Sequence, residues 1–339
     1  MNVAMGTILA FGYHDRNSPR HRTVCEALTR DGGTIIECHT EMKGFFGKCI
    51  DLRRKFKTLS ATTPQSLLVP FPGHFLVPLA WQLTRKPRKR LIFDAFISLY
   101  DTDVLDRRKV SRWNPWAWML WMIDWVSMHL ADEVLIDTQT HRQFLIDTFH
   151  LRPESVRVIY LEARADLFFI RKERCHPEPV EGRQHVMVRR AHHDNPNVEI
   201  FFYGTLIPLQ GVDVILDTAK ILQDQHANVH FTMAGSSKLQ EMAATRDLKN
   251  VTCHPFVPIE DLPAMMHAAD LCLGIFGTSN KAQRVIPHKV VDAVACGVPV
   301  ITEDSPAIRE RFADHPLVRL IPAGNPAALA RAILALARH

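Results

Sequence analysis

Short, bounded apolar runs recur along this chain in two successive series, each run separated from the next by a helical pattern. In the first half they are TILAFG (7–12), TIIECH (34–39), SLLVPFPG (66–73), RLIFDAF (90–96), EVLIDT (133–138) and VRVIYL (156–161). In the second half they are VEIFFYG (198–204), VHFTMAG (229–235), NVTCHPF (250–256), LCLGIFG (271–277) and VPVITE (298–303). Runs this short, apolar on both sides, are strands buried on both faces. Intervening helices such as RHRTVCEALTRDG (20–32) and VDVILDTAKILQDQ (212–225) supply the crossovers that parallel strands need. Gly32 is placed to end the first helix, and Asn325 with Pro326 to open the last, NPAALARAILALARH. The expected fold class is α/β, with two parallel sheets covered by helices on both sides.

A chain of 339 residues, 47% hydrophobic and 23% charged, is globular and too long for one ordinary core. The expected division is residues 1–170, a linker or insertion at 171–196, and residues 197–339. The segment RKERCHPEPVEGRQHVMVRRAHHDNP has little periodicity and exceeds a usual loop. Its Cys175, His176, His185, His192 and His193 match no zinc spacing, and no metal is expected. The formal charge is +5 and the sequence pI about 8.8. That suits anionic small molecules or an anionic membrane surface, while no motif or concentrated basic face accompanies it to indicate nucleic acid.

Seven scattered cysteines (25, 38, 49, 175, 253, 272 and 296) form no C-x-x-C pair and read as reduced, packed thiols of a cytoplasmic protein. The N-terminus MNVAMGTILAFGYHD has no basic leader region and reads as a first strand. WNPWAWMLWMIDWVSMHLA (113–131) is rich in Trp and Met but interrupted by Pro115 and Asp124. It is a buried helix or an interfacial one at the inner face of a membrane, with RRK (107–109) and RKPRKR (85–90) available to anionic headgroups.

The chemistry concentrates in RVIPHKVVDAVACGVPVIT (284–302). Pro287 can open a helix and Gly297 close it. Lys289 then lies in the first turn, with Asp292 three residues on and on the same face. Unpaired N–H groups at a helix start, with Lys289 and Arg284 added, suit a pyrophosphate, and the carboxylate suits ribose hydroxyls. The alternative is that Lys289 and Asp292 pair across the helix surface. FFYGTLIPLQGVD (201–213) adds a strand, a glycine turn at Gly204 and a helix start at Gly211. MAGSS and GIFGTSN place Gly235 and Gly277 after further strands. All these loops are expected at the carboxyl ends of the strands, where open α/β sheets bind ligands. Asp94 in LIFDAF and Asp137 in LIDT fall at predicted strand ends of the first half. They are candidates for acceptor or sugar contacts, or ordinary cap and turn residues.

The series YGTLIPLQGVD, HFTMAG, FVPIEDLPAMMHAADLCLGIFG and RVIPHKVVDAVACGVPVITEDSPAIRE resembles the C-terminal domain of family 4 glycosyltransferases of GT-B fold, over about 198–335. PFPGH, LIFDAFISLYD and ADEVLIDT resemble the N-terminal domain more loosely. The resemblance implies two Rossmann-like parallel-sheet domains facing a cleft. It implies transfer of a hexosyl-type sugar from a nucleotide-sugar donor to a glycan or lipid-linked acceptor, as in polysaccharide and cell-envelope synthesis, with retention and with no cofactor or metal. The phosphate-binding turn falls on Gly204 to Gly211, with Thr205 and Gln210 where Arg and Lys are usual. The paired glutamates fall on Arg284 and Asp292, in an I-P-x-K variant in which Lys289 and Arg284 take over the diphosphate. The histidine near the reacting carbon falls on His74, otherwise a loop residue. The family continues into further helices after the counterpart of ALARAILALARH. These departures keep a non-catalytic nucleotide-sugar-binding scaffold open as an alternative, and a sugar-nucleotide epimerase or hydrolase as a third.

Overall fold

Ile8 and Ala10 of the first strand pack to one side with Val24 and Leu28, while Leu9 and Phe11 pack to the other with Leu52, Phe56 and Val77; all are buried. Burial on both faces is why the run is apolar without alternation. The computed structural model describes residues 6–59, 64–170 and 197–336. The expected linker, with its cysteine and histidines, lies outside the described residues. The chain divides into two units, Met1–Leu161 and Glu162–His339.

The first unit runs β1 (Gly6–Gly12), α1 (Pro19–Arg30), β2 (Gly33–His39), α2 (Phe45–Leu59), β3 (Ser66–Val69), α3 (Val77–Thr84), β4 (Arg90–Asp94), α4 (Pro115–Leu130), β5 (Glu133–Ile136), α5 (Gln139–Phe149) and β6 (Val156–Val158). Its sheet is parallel throughout, in the order β2-β1-β3-β4-β5-β6. Three helix starts are capped by side chains. The Ser18 hydroxyl accepts from His21 N at 3.3 Å, Asn114 Oδ1 from Trp116 N at 2.9 Å and Thr138 Oγ1 from His141 N at 3.0 Å. α2 is absent from the sequence reading, and its composition explains why. It buries only Leu52 and Phe56, and charged residues interrupt the rest.

The Trp-rich segment forms α4. Asp124, the residue that breaks its apolar run, is fully buried. It accepts from the Ser98 hydroxyl at 2.7 Å and from the backbone N–H groups of Leu99 and Tyr100 at 3.1 and 2.9 Å. The carboxylate thus anchors the start of a single π-helical turn, Asp101–Asp106. Among the described residues, no helix is long and apolar enough to cross a membrane.

The second unit runs β7 (Val198–Tyr203), α6 (Val212–Asp224), β8 (Val229–Ala234), α7 (Lys238–Thr245), β9 (Val251–His254), α8 (Leu262–Ala268), β10 (Leu271–Leu273), α9 (His288–Ala295), β11 (Val300–Glu303), α10 (Pro306–Phe312), β12 (Val318–Ile321) and α11 (Pro326–Leu336). Its sheet, also parallel, has the order β12-β11-β10-β7-β8-β9. Read from β7 this is the dinucleotide-fold order 3-2-1-4-5-6, whose reversal lies where β7 meets β10. α11 opens as expected, with Asn325 Oδ1 accepting from Ala328 N at 2.9 Å. β12 was not foreseen. It is an edge strand with only Ile321 buried, so it lacks the continuous apolar signature.

Candidate functional site

Where the strand order reverses, β7 and β10 send their loops outward side by side, and backbone bonds join them. Phe276 N donates to Gln210 O and Gly277 N to Leu209 O, both at 3.2 Å; Gly204 N donates to Ala234 O at 2.8 Å. Gly235, at φ 135°, passes so close to its neighbour that a Cβ would lie 2.1 Å from Gly204 O. That glycine is therefore fixed by loop against loop rather than by clearance for a ligand. Gly211 caps α6 with φ 63°. Thr205 lies exposed on the turn, its carbonyl accepting from Ile207 N at 3.0 Å.

Gly204 is the exception that opens toward side chains. A Cβ there would meet Lys289 Nζ at 2.8 Å and Gln210 Oε1 at 3.0 Å. Lys289 sits in the first turn of α9, whose N-cap is Pro287. Its ammonium donates to Gln210 Oε1 and lies 3.9 Å from the centroid of the Phe202 ring. Only 4% of Lys289 is exposed, and burial pushes its pKa well below the ordinary lysine value.

Asp292, one turn on, is also buried, but its partner is not Lys289. The Tyr203 hydroxyl donates to Asp292 Oδ2 at 2.7 Å. Burial raises the Asp292 pKa to about 7, against the hydrogen bond that pulls it down; burial and the Asp292 charge raise Tyr203. The surface pair considered for Lys289 and Asp292 is thus not what forms. Each is held under the loops by its own partner. Arg284 lies half-buried at the end of a short turn, Ala282–Arg284, leading to α9. Gly297 follows α9 with φ 72°, ending it as expected.

Two residues of this edge escaped the sequence reading. Tyr203 was part of a quoted strand, and its hydroxyl's partner is 89 positions away, a distance no local pattern bridges. Glu303, the last residue of β11, is fully buried. Neither carboxylate oxygen has a hydrogen-bond partner among the described residues, and burial raises its pKa to about 8.

The first unit's candidates lie at strand ends or in loops, each beside a buried neighbour. Asp94 accepts from Arg20 Nη2 at 2.7 Å and Nε at 3.0 Å, and Arg20 also donates to Ile159 O at 2.6 Å. Asp137 Oδ1 lies 2.9 Å from His141 Nδ1. His74, just after the Pro-Gly turn, is 1% exposed, with Nε2 3.4 Å from Asp124 Oδ1. Burial lowers its pKa to about 4.

Residues 197–339 match the family model described as "Glycosyl transferases group 1". Solved structures resemble the whole chain. Sucrose-phosphate synthase from Thermosynechococcus elongatus has a TM-score of 0.68 at 14% identity, covering 98% of this chain and 91% of its own. HepE of Anabaena in complex with UDP-glucose has a TM-score of 0.62 at 14% identity, covering 98% and 89%. A glycosyltransferase from Rickettsia africae has a TM-score of 0.57 at 9% identity, covering 98% and 87%. At these identities the likeness is one of fold: GT-B-like, with two Rossmann-like α/β units.

Proposed function

We propose that this protein transfers a sugar from a nucleoside-diphosphate sugar to an acceptor. The carrying observation is a buried lysine, Lys289, in the first turn of a helix, whose ammonium packs against a glycine turn with no Cβ at the sheet's point of reversal. A diphosphate placed there meets Lys289 and the N–H groups opening α9. These stabilise the charge that grows on the leaving group. Arg284 is assigned to the same diphosphate, and Asp292, oriented by Tyr203, to the ribose hydroxyls. The glycosyltransferase match over 197–339 and the UDP-glucose complex of HepE support this reading. Retention, a hexosyl donor and a glycan or lipid-linked acceptor belong to the proposal, with the acceptor assigned to the first unit. His74, Asp94 and Asp137, all buried, are given the part of holding that unit's strand-end loops in place.

Lys289→Ala is expected to weaken binding of the cognate nucleoside diphosphate by about 1–3 kcal/mol, the loss of a charge-assisted bond. That is roughly 5- to 150-fold by titration calorimetry. Unchanged affinity across UDP, GDP and ADP would reduce Lys289 to a packing residue.

A second reading, a nucleotide-sugar-binding scaffold, rests on one observation: Gln210 already accepts a hydrogen bond from the Lys289 ammonium.

Peripheral membrane contact is supported by the segment 107–118. Arg107, Arg108, Lys109 and Arg112 are exposed there beside exposed Trp113, Trp116 and Trp118, a basic and aromatic surface suited to anionic headgroups. Replacing Arg107, Arg108 and Lys109 together by Ala is expected to weaken cosedimentation with phosphatidylserine vesicles on the order of 100-fold, at about 1 kcal/mol per cation. Equal sedimentation of variant and parent would remove the membrane from the account.

A further inference from the structure

Three buried or half-buried ligand-type side chains converge at one end of the first unit, far in sequence from the candidates above. His14 follows β1, His21 lies in the first turn of α1, and Glu37 is on β2. His14 Nε2 is 3.1 Å from Glu37 Oε2, and His21 Nε2 is 3.0 Å from Glu37 Oε1. The two imidazole centroids are 4.2 Å apart. The Sγ of Cys25, one turn along α1, lies 3.4 Å from His21 Nε2 and 3.9 Å from Nδ1, beside the ring and out of line with the Nε2 lone pair. Both histidines are buried, and Glu37 is about one-third exposed.

As a hydrogen-bond network the group is incomplete. His14 and His21 both turn Nε2 to the one Glu37 carboxylate. His14 Nδ1 has no hydrogen-bond partner among the described residues. Protonating both rings would set two cations against each other at van der Waals distance. A central cation removes this repulsion, since both Nε2 lone pairs and the carboxylate can point at it.

We propose that His14, His21 and Glu37 bind one divalent transition-metal ion of the zinc class. Two imidazoles and one carboxylate are a three-ligand set of the kind zinc accepts with a fourth position left open. The three ligand atoms of His14, His21 and Glu37 already lie within 4.8 Å of one another. The neighbouring Arg20 is neutralised by Asp94 and does not bar a cation. The ion ties β1, α1 and β2 together. The proposal stands independently of the transfer reading, which assigns no step to a metal.

The test is metal content and titration on the full chain, stripped with chelator and dialysed against zinc. The expected result is one zinc per chain, weakened about 100-fold or more in both Glu37→Gln and His21→Gln, each first shown to be folded by circular dichroism. Zinc uptake that is absent in the wild type, or equal in Glu37→Gln, overturns the site. So does uptake that survives Glu37→Gln but disappears when Cys175, His176 and His185 are replaced.

Discussion

Asp94→Ala is expected to destabilise the first unit by about 3–5 kcal/mol, the cost of leaving a buried charge without its partner. For a unit of this size that lowers the melting temperature by roughly 6–20 °C. The charge in question is Arg20, 4% exposed, whose guanidinium is held by both Asp94 oxygens and by Ile159 O. The loss should be largely reversed in the double variant Arg20→Met, Asp94→Leu. Removing both charges replaces an ion pair by apolar groups of similar volume, which is often close to neutral. A residue that touched substrate would behave differently: activity would fall while the melting temperature held, and the second substitution would rescue nothing. Thermal melts of the two single variants and the double separate these outcomes.

The second large effect concerns pH. Glu303 is fully buried, and its carboxyl is raised from 4.5 to about 8. The folded state therefore keeps a proton that the unfolded state has lost, and stability falls as pH rises through the window from about 4.5 to 8. The accumulated loss is on the order of 5 kcal/mol. Glu303→Gln keeps the shape and removes the titration. Its advantage over the wild type should be near zero at the acid end of the window and on the order of 5 kcal/mol at the alkaline end. Comparing variant with parent isolates Glu303 from Asp292, which is raised to about 7 and contributes a slope of the same sign. Denaturant unfolding across that pH range measures the difference. A constant difference would mean that Glu303 has a partner in solution.

How much of this was legible in the sequence depended on distance along the chain. Strands such as β1, β3 and β7 were legible because burial on both faces writes a continuous apolar run. The Asn325 cap was legible because cap and recipient are three residues apart. α2 and β12 were not, because each buries so little that its pattern is mostly polar. The glycine loops and Lys289 were found by position, but their contacts were not. Lys289 reaches Gln210 across 79 positions, and Asp94 reaches Arg20 across 74. The same holds for His14, His21 and Glu37, whose spacing matches no short metal motif and whose meeting depends on β1 and β2 lying side by side.

Turnover of the donor tests the central claim most directly. The purified chain is given UDP-, GDP- and ADP-sugars with and without a pool of glycan and lipid-linked acceptors, and released nucleoside diphosphate is measured. The transferase account predicts release from one donor, dependent on acceptor and strongly reduced in Lys289→Ala. A folded protein that binds a donor yet never consumes it would contradict that account in favour of a scaffold, and consumption that needs no acceptor would contradict it in favour of a hydrolase or epimerase.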